Sequence, residues 1–139
     1  MIDYKTGMIY GEKSDQFRGG QSLQLPLYIR AADAMLARNG VSARTSEAFY
    51  YYATGKGGYK RVGFSRQTLE TRSGEFTVIL KTIADGIAAG VFPQRPGKNG
   101  DHCTYCSFQP VCGHGRVRLV ERKQGDPAIA ALAAMWEIE

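Results

Sequence analysis

Ile2-Asp3-Tyr4-Lys5-Thr6-Gly7 opens the chain and carries its most informative local pattern. Ile2 and Tyr4 alternate with polar residues and run into the turn signal Thr6-Gly7, which predicts a short strand over 2–5. Side chains alternate across a strand, so Asp3 and Lys5 project from one face. A carboxylate and an ammonium group side by side suit metal-assisted hydrolysis of a phosphodiester. The carboxylate offers hard oxygen ligands to Mg²⁺ or Mn²⁺. Such an ion lowers the pKa of a bound water and offsets charge on the phosphate. The lysine can orient the nucleophile or stabilise the transition state. The Tyr4 backbone carbonyl, between the two, is a further candidate metal ligand. Taken alone, Asp-x-Lys is a common pattern whose bland reading is an ion pair at a strand end.

Working outward, residues 8–20 are polar and glycine-containing, with no period, and are expected to be loop. A helix is predicted from about Gln21 to Arg38, with Leu23, Leu27, Ala31, Ala34 and Met35 recurring at helical spacing. Pro26 fits only in its first turn, where a missing N–H has no partner to lose. Asn39-Gly40 is a stop signal. Gln24 and Tyr28 are four residues apart and share a face. Their amide and phenol can hydrogen-bond a phosphate or a base; the bland reading is a polar helix edge.

Residues 44–54 and 58–64 are aromatic-rich and separated by Thr54-Gly55-Lys56-Gly57, a hairpin signal. The run Phe49-Tyr50-Tyr51-Tyr52 reads as a strand with one face in the core rather than as a binding platform. A second helix is expected from Glu75 to Ala89, starting as early as Gln67, with Phe76, Ile79, Leu80, Ile83 and Ile87 as its apolar stripe. Asp126-Pro127 reads as a cap and first helical position. Ile129, Leu132, Ala133 and Trp136 then mark a last amphipathic helix.

Between these helices lies a loop-rich segment from Pro93 to Gly115 with Cys103, Cys106 and Cys112 packed close together. Three thiols so spaced, with no secretory signal, point to a soft metal in a reducing compartment rather than to disulfides. Two schemes compete: a Cys3His zinc site completed by His114, or less readily His102, and an iron–sulfur cluster that needs a fourth cysteine from elsewhere.

The remaining features bound the function. The formal charge of +5 suits a polyanionic partner such as nucleic acid. Lys56, Lys60, Arg61 and Arg66 interleave with Tyr59 and Phe64, a pattern that can grip a strand; a solvated hairpin face is the preferred reading. Arg116, Arg118, Arg122 and Lys123 form a second basic stretch. Gly55-Lys56-Gly57-Gly58 is no phosphate loop, since no Gly-Lys-Ser/Thr and no helix follow. No Ser/His/Asp set is visible, no apolar run is long enough for a membrane helix, and no signal peptide is evident.

The order Ile2-Asp3-Tyr4-Lys5, polar loop, Gly20-Gln21-Ser22-Leu23-Gln24-Leu25-Pro26-Leu27-Tyr28 resembles the third motif and the Q-x-x-x-Y motif of the PD-(D/E)XK nuclease superfamily. It is similar, more narrowly, to RecB/AddB-type exonucleases. The resemblance implies a restriction-endonuclease-like α/β fold, a mixed sheet flanked by helices with a C-terminal cysteine knuckle. It implies that Asp3 binds Mg²⁺ or Mn²⁺, that Lys5 is catalytic, and that Gln24 and Tyr28 support them. Cys103, Cys106 and Cys112 resemble the C-terminal cysteines of AddB-type domains, which favours a [4Fe–4S] cluster over Zn²⁺ with His114. A single partial nuclease domain is expected, with a core remnant over 1–92 and the knuckle and closing helix over 93–139. The family's earlier motifs, which hold a second metal-binding aspartate, and the fourth cysteine would lie upstream. The chain alone is therefore expected to be a weak or inactive exonuclease. The resemblance implies DNA as partner, a helicase or motor subunit alongside, a cytoplasmic setting and a role in DNA repair. Two other readings are a non-catalytic DNA-binding module and a small zinc-stabilised nucleic-acid-binding protein.

Overall fold

A computed structural model describes residues 1–139, apart from the side chains at 98 and 99. The chain divides into two compact units, Met1–Leu80 with Met135–Glu139, and Lys81–Ala134.

The first unit is a three-stranded mixed sheet with helices packed on it. Strand β1 (Ile2–Lys5) runs parallel to β2 (Glu47–Tyr52), and β2 pairs antiparallel with β3 (Arg61–Ser65). A 3-10 turn at Gly55–Gly57 closes the predicted hairpin. The parallel step from β1 to β2 requires a crossover, which helix α1 (Gln24–Arg38) supplies. This is the α/β, restriction-endonuclease-like arrangement expected from the sequence. Loop 8–20 is irregular but anchored: the Asp15 carboxylate accepts from Ser65 N at 2.7 Å, and Asp15 N donates to Gly63 O at 3.0 Å.

The buried face of α1 differs from the expected stripe. Leu25, Pro26 and Ile29 are buried, while Leu27 and Met35 are exposed. Periodicity identified the helix; contact with the sheet selected the Leu25–Ile29 side. Pro26 sits in the first turn, as the chemistry requires. At the other end Gly40 has φ 68°, Gly40 N donates to Ala37 O and Val41 N to Leu36 O. That left-handed cap is why glycine follows Asn39.

The predicted second helix is two. Helix α2 (Arg66–Thr71) is capped by Ser65, whose side chain accepts from Thr68 N. Helix α3 (Ser73–Ala88) follows, with Phe76 and Ile79 buried and Ile87 exposed. Arg72, at the break, puts its guanidinium over the Phe17 ring and bonds Glu75, Asp15 O and Glu139 O. Those bonds hold the chain in a non-helical turn between the two helices. The apolar core gathers Phe17, Ile29, Leu69 and Ile79, each 1% exposed or less.

Arg66, the first residue of α2, also locks α1 to the segment that leads into β2. Its Nη2 lies 2.7 Å from both oxygens of Asp33, and its Nε donates to Thr45 O at 2.7 Å. Thr45 N donates back to Asp33 at 2.8 Å. The Arg66 hydrogen bonds hold the Asp33 carboxyl down to about 2, from an ordinary 3.8. A depressed folded pKa gives stability that is present above the unfolded value and lost as pH falls through the folded one. Asp33→Asn is expected to cost about 1–2 kcal/mol at neutral pH. It is also expected to flatten the fall in stability between about pH 4 and about pH 2. Urea midpoints measured at stepped pH test this; parallel acid profiles for the two proteins would contradict it.

The second unit holds a 3-10 turn (Lys98–Cys103), the short helices α4 (Gln109–Cys112) and α5 (Arg116–Arg122), and a 3-10 turn at Pro127–Ile129 leading into helix α6 (Ala130–Trp136). α6 ends within the first unit, where Met135 is its buried residue. The basic stretch at 116–123, with no predicted structure, is therefore mostly helix. Asp126 caps as expected, accepting from Ala128 N at 2.9 Å. Tyr105, Phe108 and Val111 are 97%, 71% and 84% exposed, so this segment builds little core of its own. No described helix is long and apolar enough to cross a membrane.

Candidate active site

Strand alternation turns Asp3 and Lys5 to one face, and Lys5 Nζ donates to Asp3 Oδ2 at 3.1 Å. Helix α1 faces them. Leu25 and Ile29 pack inward, and the residue before each points about 100° around the helix, toward β1. Gln24 Nε2 donates to the same Asp3 oxygen at 3.0 Å and to Tyr28 Oη at 2.5 Å. The structure thus brings together the four side chains singled out in the sequence.

Tyr50 is a fifth member that the sequence reading placed only in a strand. It lies opposite Asp3 in the β1–β2 register. Its hydroxyl donates to Gln24 Oε1 at 2.9 Å, and the Lys5 amine sits 4.6 Å from its ring centroid. Accepting on Oε1 leaves the Gln24 Nε2 hydrogens to point at Asp3 and Tyr28. Burial, then the charge of Asp3, pushes the Tyr50 phenol up to about 12, so it keeps its proton near neutrality. The residue's signal lay in a pairing between distant strands, which a four-residue aromatic run does not disclose.

Three of the five, Lys5, Gln24 and Tyr50, line a cleft of about 460 Å³ together with Glu12, Arg18 and Ser22, among others. Asp3 Oδ1 takes no hydrogen bond among the described residues. The Met1 and Lys5 carbonyls accept from Phe49 N and Ala53 N of the β2 side. Ladder alternation therefore turns the Tyr4 carbonyl to the opposite edge of β1. Both are hard oxygens, and Mg²⁺ commonly takes one or two carboxylates and fills its shell with water and substrate phosphate. The donor chemistry fits such an ion, though sparsely: among the described residues no group of three His, Cys, Asp or Glu is set to hold a metal.

The cysteines are not gathered into a ligand set. Cys103 ends a 3-10 turn, Cys106 is exposed, and Cys112 ends α4. His102 Nδ1 contacts Arg95 O at 3.1 Å, and His114 shares a cavity lining with Cys103 alone of the three. Cys106 N donates to Cys103 O at 3.1 Å within one turn, but among the described residues no three such side chains are set to hold a metal, so the arrangement supports neither the zinc nor the iron–sulfur scheme. The basic–aromatic hairpin is likewise no single surface. Phe64 is in the core, Arg66 binds Asp33, and Arg61 pairs with Glu47 over the Phe49 ring.

A mixed sheet carrying Asp-x-Lys on one strand, with a Gln/Tyr helix laid against it, defines a nuclease-type domain. A family model for the PD-(D/E)XK nuclease superfamily matches residues 1–113. The chain belongs to that superfamily. No curated protein and no solved structure matches it.

Proposed function

We propose that the chain is the catalytic part of a metal-dependent deoxyribonuclease that trims DNA ends, in the manner of RecB/AddB-type exonucleases of DNA repair. The observation that carries the reading is the hydrogen-bonded meeting of Asp3, Lys5, Gln24 and Tyr28, with Lys5 and Gln24 lining the cleft beside it. Family membership and the basic charge support it. Asp3 Oδ1 and the Tyr4 carbonyl would hold Mg²⁺ or Mn²⁺, which supplies charge neutralisation and a water of lowered pKa when bound. Lys5 stabilises negative charge growing on the phosphate. Gln24, fixed by Tyr50, and Tyr28 hold the substrate in register. One carboxylate binds the ion weakly, so the activity of this chain is low. In this reading it works in the cytoplasm beside a helicase-type motor that feeds it DNA.

The test is digestion of end-labelled linear DNA by the 139-residue chain over a magnesium titration. Slow release of nucleotides is expected from linear DNA and not from closed circles, stopped by EDTA and absent in Asp3→Ala. DNA binding with no magnesium-dependent release would instead make it a nuclease-like module that binds without cutting. The sparse metal-donor set is the observation that favours this second reading.

A further inference from the structure

Arg18 is half-buried in the wall of the same cleft, and it is the exception among its kind. The other half-buried arginines of this unit are neutralised: Arg66 by Asp33, Arg72 by Glu75. Arg18 makes no ion pair and no side-chain hydrogen bond among the described residues. A half-buried cation without a partner has lost water and gained nothing from the protein.

Its backbone makes the placement more telling. Arg18 has φ 51°, and Gly19 and Gly20 follow at 60° and 84°. Left-handed backbone is disfavoured for any residue with a Cβ, arginine included, and such strain gathers where a site needs it. Glycine would serve the turn better. The segment cannot relax. On one side Phe17 is fully buried. On the other, Gly19 N donates to Ile138 O at 2.6 Å, and a Cβ on Gly19 would come within 2.7 Å of Trp136 O. The arginine Cα is thus pinned while its guanidinium has no partner among the described residues.

The cleft around it suits an anion. Lys5, Gln21, Ser22 and Gln24 share the lining. Glu12 is its acidic member, and one of its oxygens accepts from Tyr10 N at 2.5 Å. A guanidinium offers forked donors that match phosphate oxygens. We propose that Arg18 binds a DNA phosphate other than the one being cut, and so registers the strand against Asp3 and Lys5. This rests on the nuclease reading for its ligand.

The experiment is anisotropy of a labelled DNA hairpin with a single-stranded tail, bound to the full chain in EDTA so that nothing is cut. Arg18→Ala is expected to weaken binding about 10-fold and to reduce the slope of log K against log salt by about 0.7–0.9. Arg18→Lys should keep most of the slope. Arg18→Gly should show the same loss as alanine while melting no lower than the parent, which separates binding from folding. A tail ending in phosphate or in hydroxyl tells a terminal from an internal phosphate. Equal loss on both indicates an internal one; loss confined to the phosphorylated tail indicates the terminus. If the parent binds and both Arg18→Ala and Arg18→Gly keep its affinity and slope, the Arg18 assignment is wrong and the nuclease reading stands. If the parent binds no DNA, both fall.

Discussion

Lys5→Ala is expected to slow DNA cleavage by about 10²–10³-fold, the usual cost of deleting a group that stabilises transition-state charge. Stability should change by no more than about 0.5 kcal/mol, since the Lys5 side chain is 35% exposed. The rest of the site survives the change. Gln24 Nε2 still donates to Asp3 Oδ2, and Tyr50 still fixes the Gln24 amide. The loss is therefore in charge stabilisation, not assembly. Single-turnover cleavage at saturating magnesium reads the chemical step, and a thermal melt controls for folding. Asp3→Asn gives a contrast. If Asp3 serves by holding the ion, extra magnesium should restore part of the rate in Asp3→Asn and none in Lys5→Ala. Cleavage by Lys5→Ala at the parent rate would remove lysine from the chemistry.

Phe17→Ala is expected to cost about 3–5 kcal/mol, enough to unfold much of a domain whose total stability is of order 5–15 kcal/mol. Phe17 is fully buried, 5.1 Å from the Phe64 ring and stacked at 5.7 Å on Phe76. It therefore ties loop 8–20 to β3 and α3 at once. Alanine leaves a cavity where three rings meet and removes the surface over which Arg72 lies. Phe17→Leu keeps most of the volume and should lose markedly less. Circular-dichroism melts compare the three proteins, with the exposed Phe108→Ala as reference for a harmless deletion. A Phe17→Ala melting curve that overlays the Phe108→Ala curve would show that this ring does not hold the core.

How the site forms divides into parts the sequence states and parts it cannot. Asp3 and Lys5 share a face because strand geometry has period two, and Gln24 and Tyr28 because helix geometry repeats near four. Neither needs a partner, so both were legible before any fold was known. The Asn39-Gly40 stop and the Asp126 cap are local in the same way: each satisfies backbone groups a few residues off. The Gly55–Gly57 connection was legible as a hairpin for that reason too.

The buried side of α1 was not, because a pattern of apolar residues around a cylinder does not say which surface lies opposite. Leu25 and Ile29 are buried by the sheet, and the stripe through Leu27 and Met35 is left exposed. The break between α2 and α3 depends on Arg72 finding Phe17 and Glu139, contacts distant in sequence. Tyr50 joins Asp3 only through the parallel register of β1 on β2. Arg18 is set into the cleft wall only once a left-handed turn is pinned by Phe17 and the Trp136–Ile138 backbone. By itself the sequence determined the chemistry carried on each short element, since bonds and dihedrals repeat along the chain. Tertiary structure decided which elements meet and which faces close, because packing couples residues whose separation no local period records.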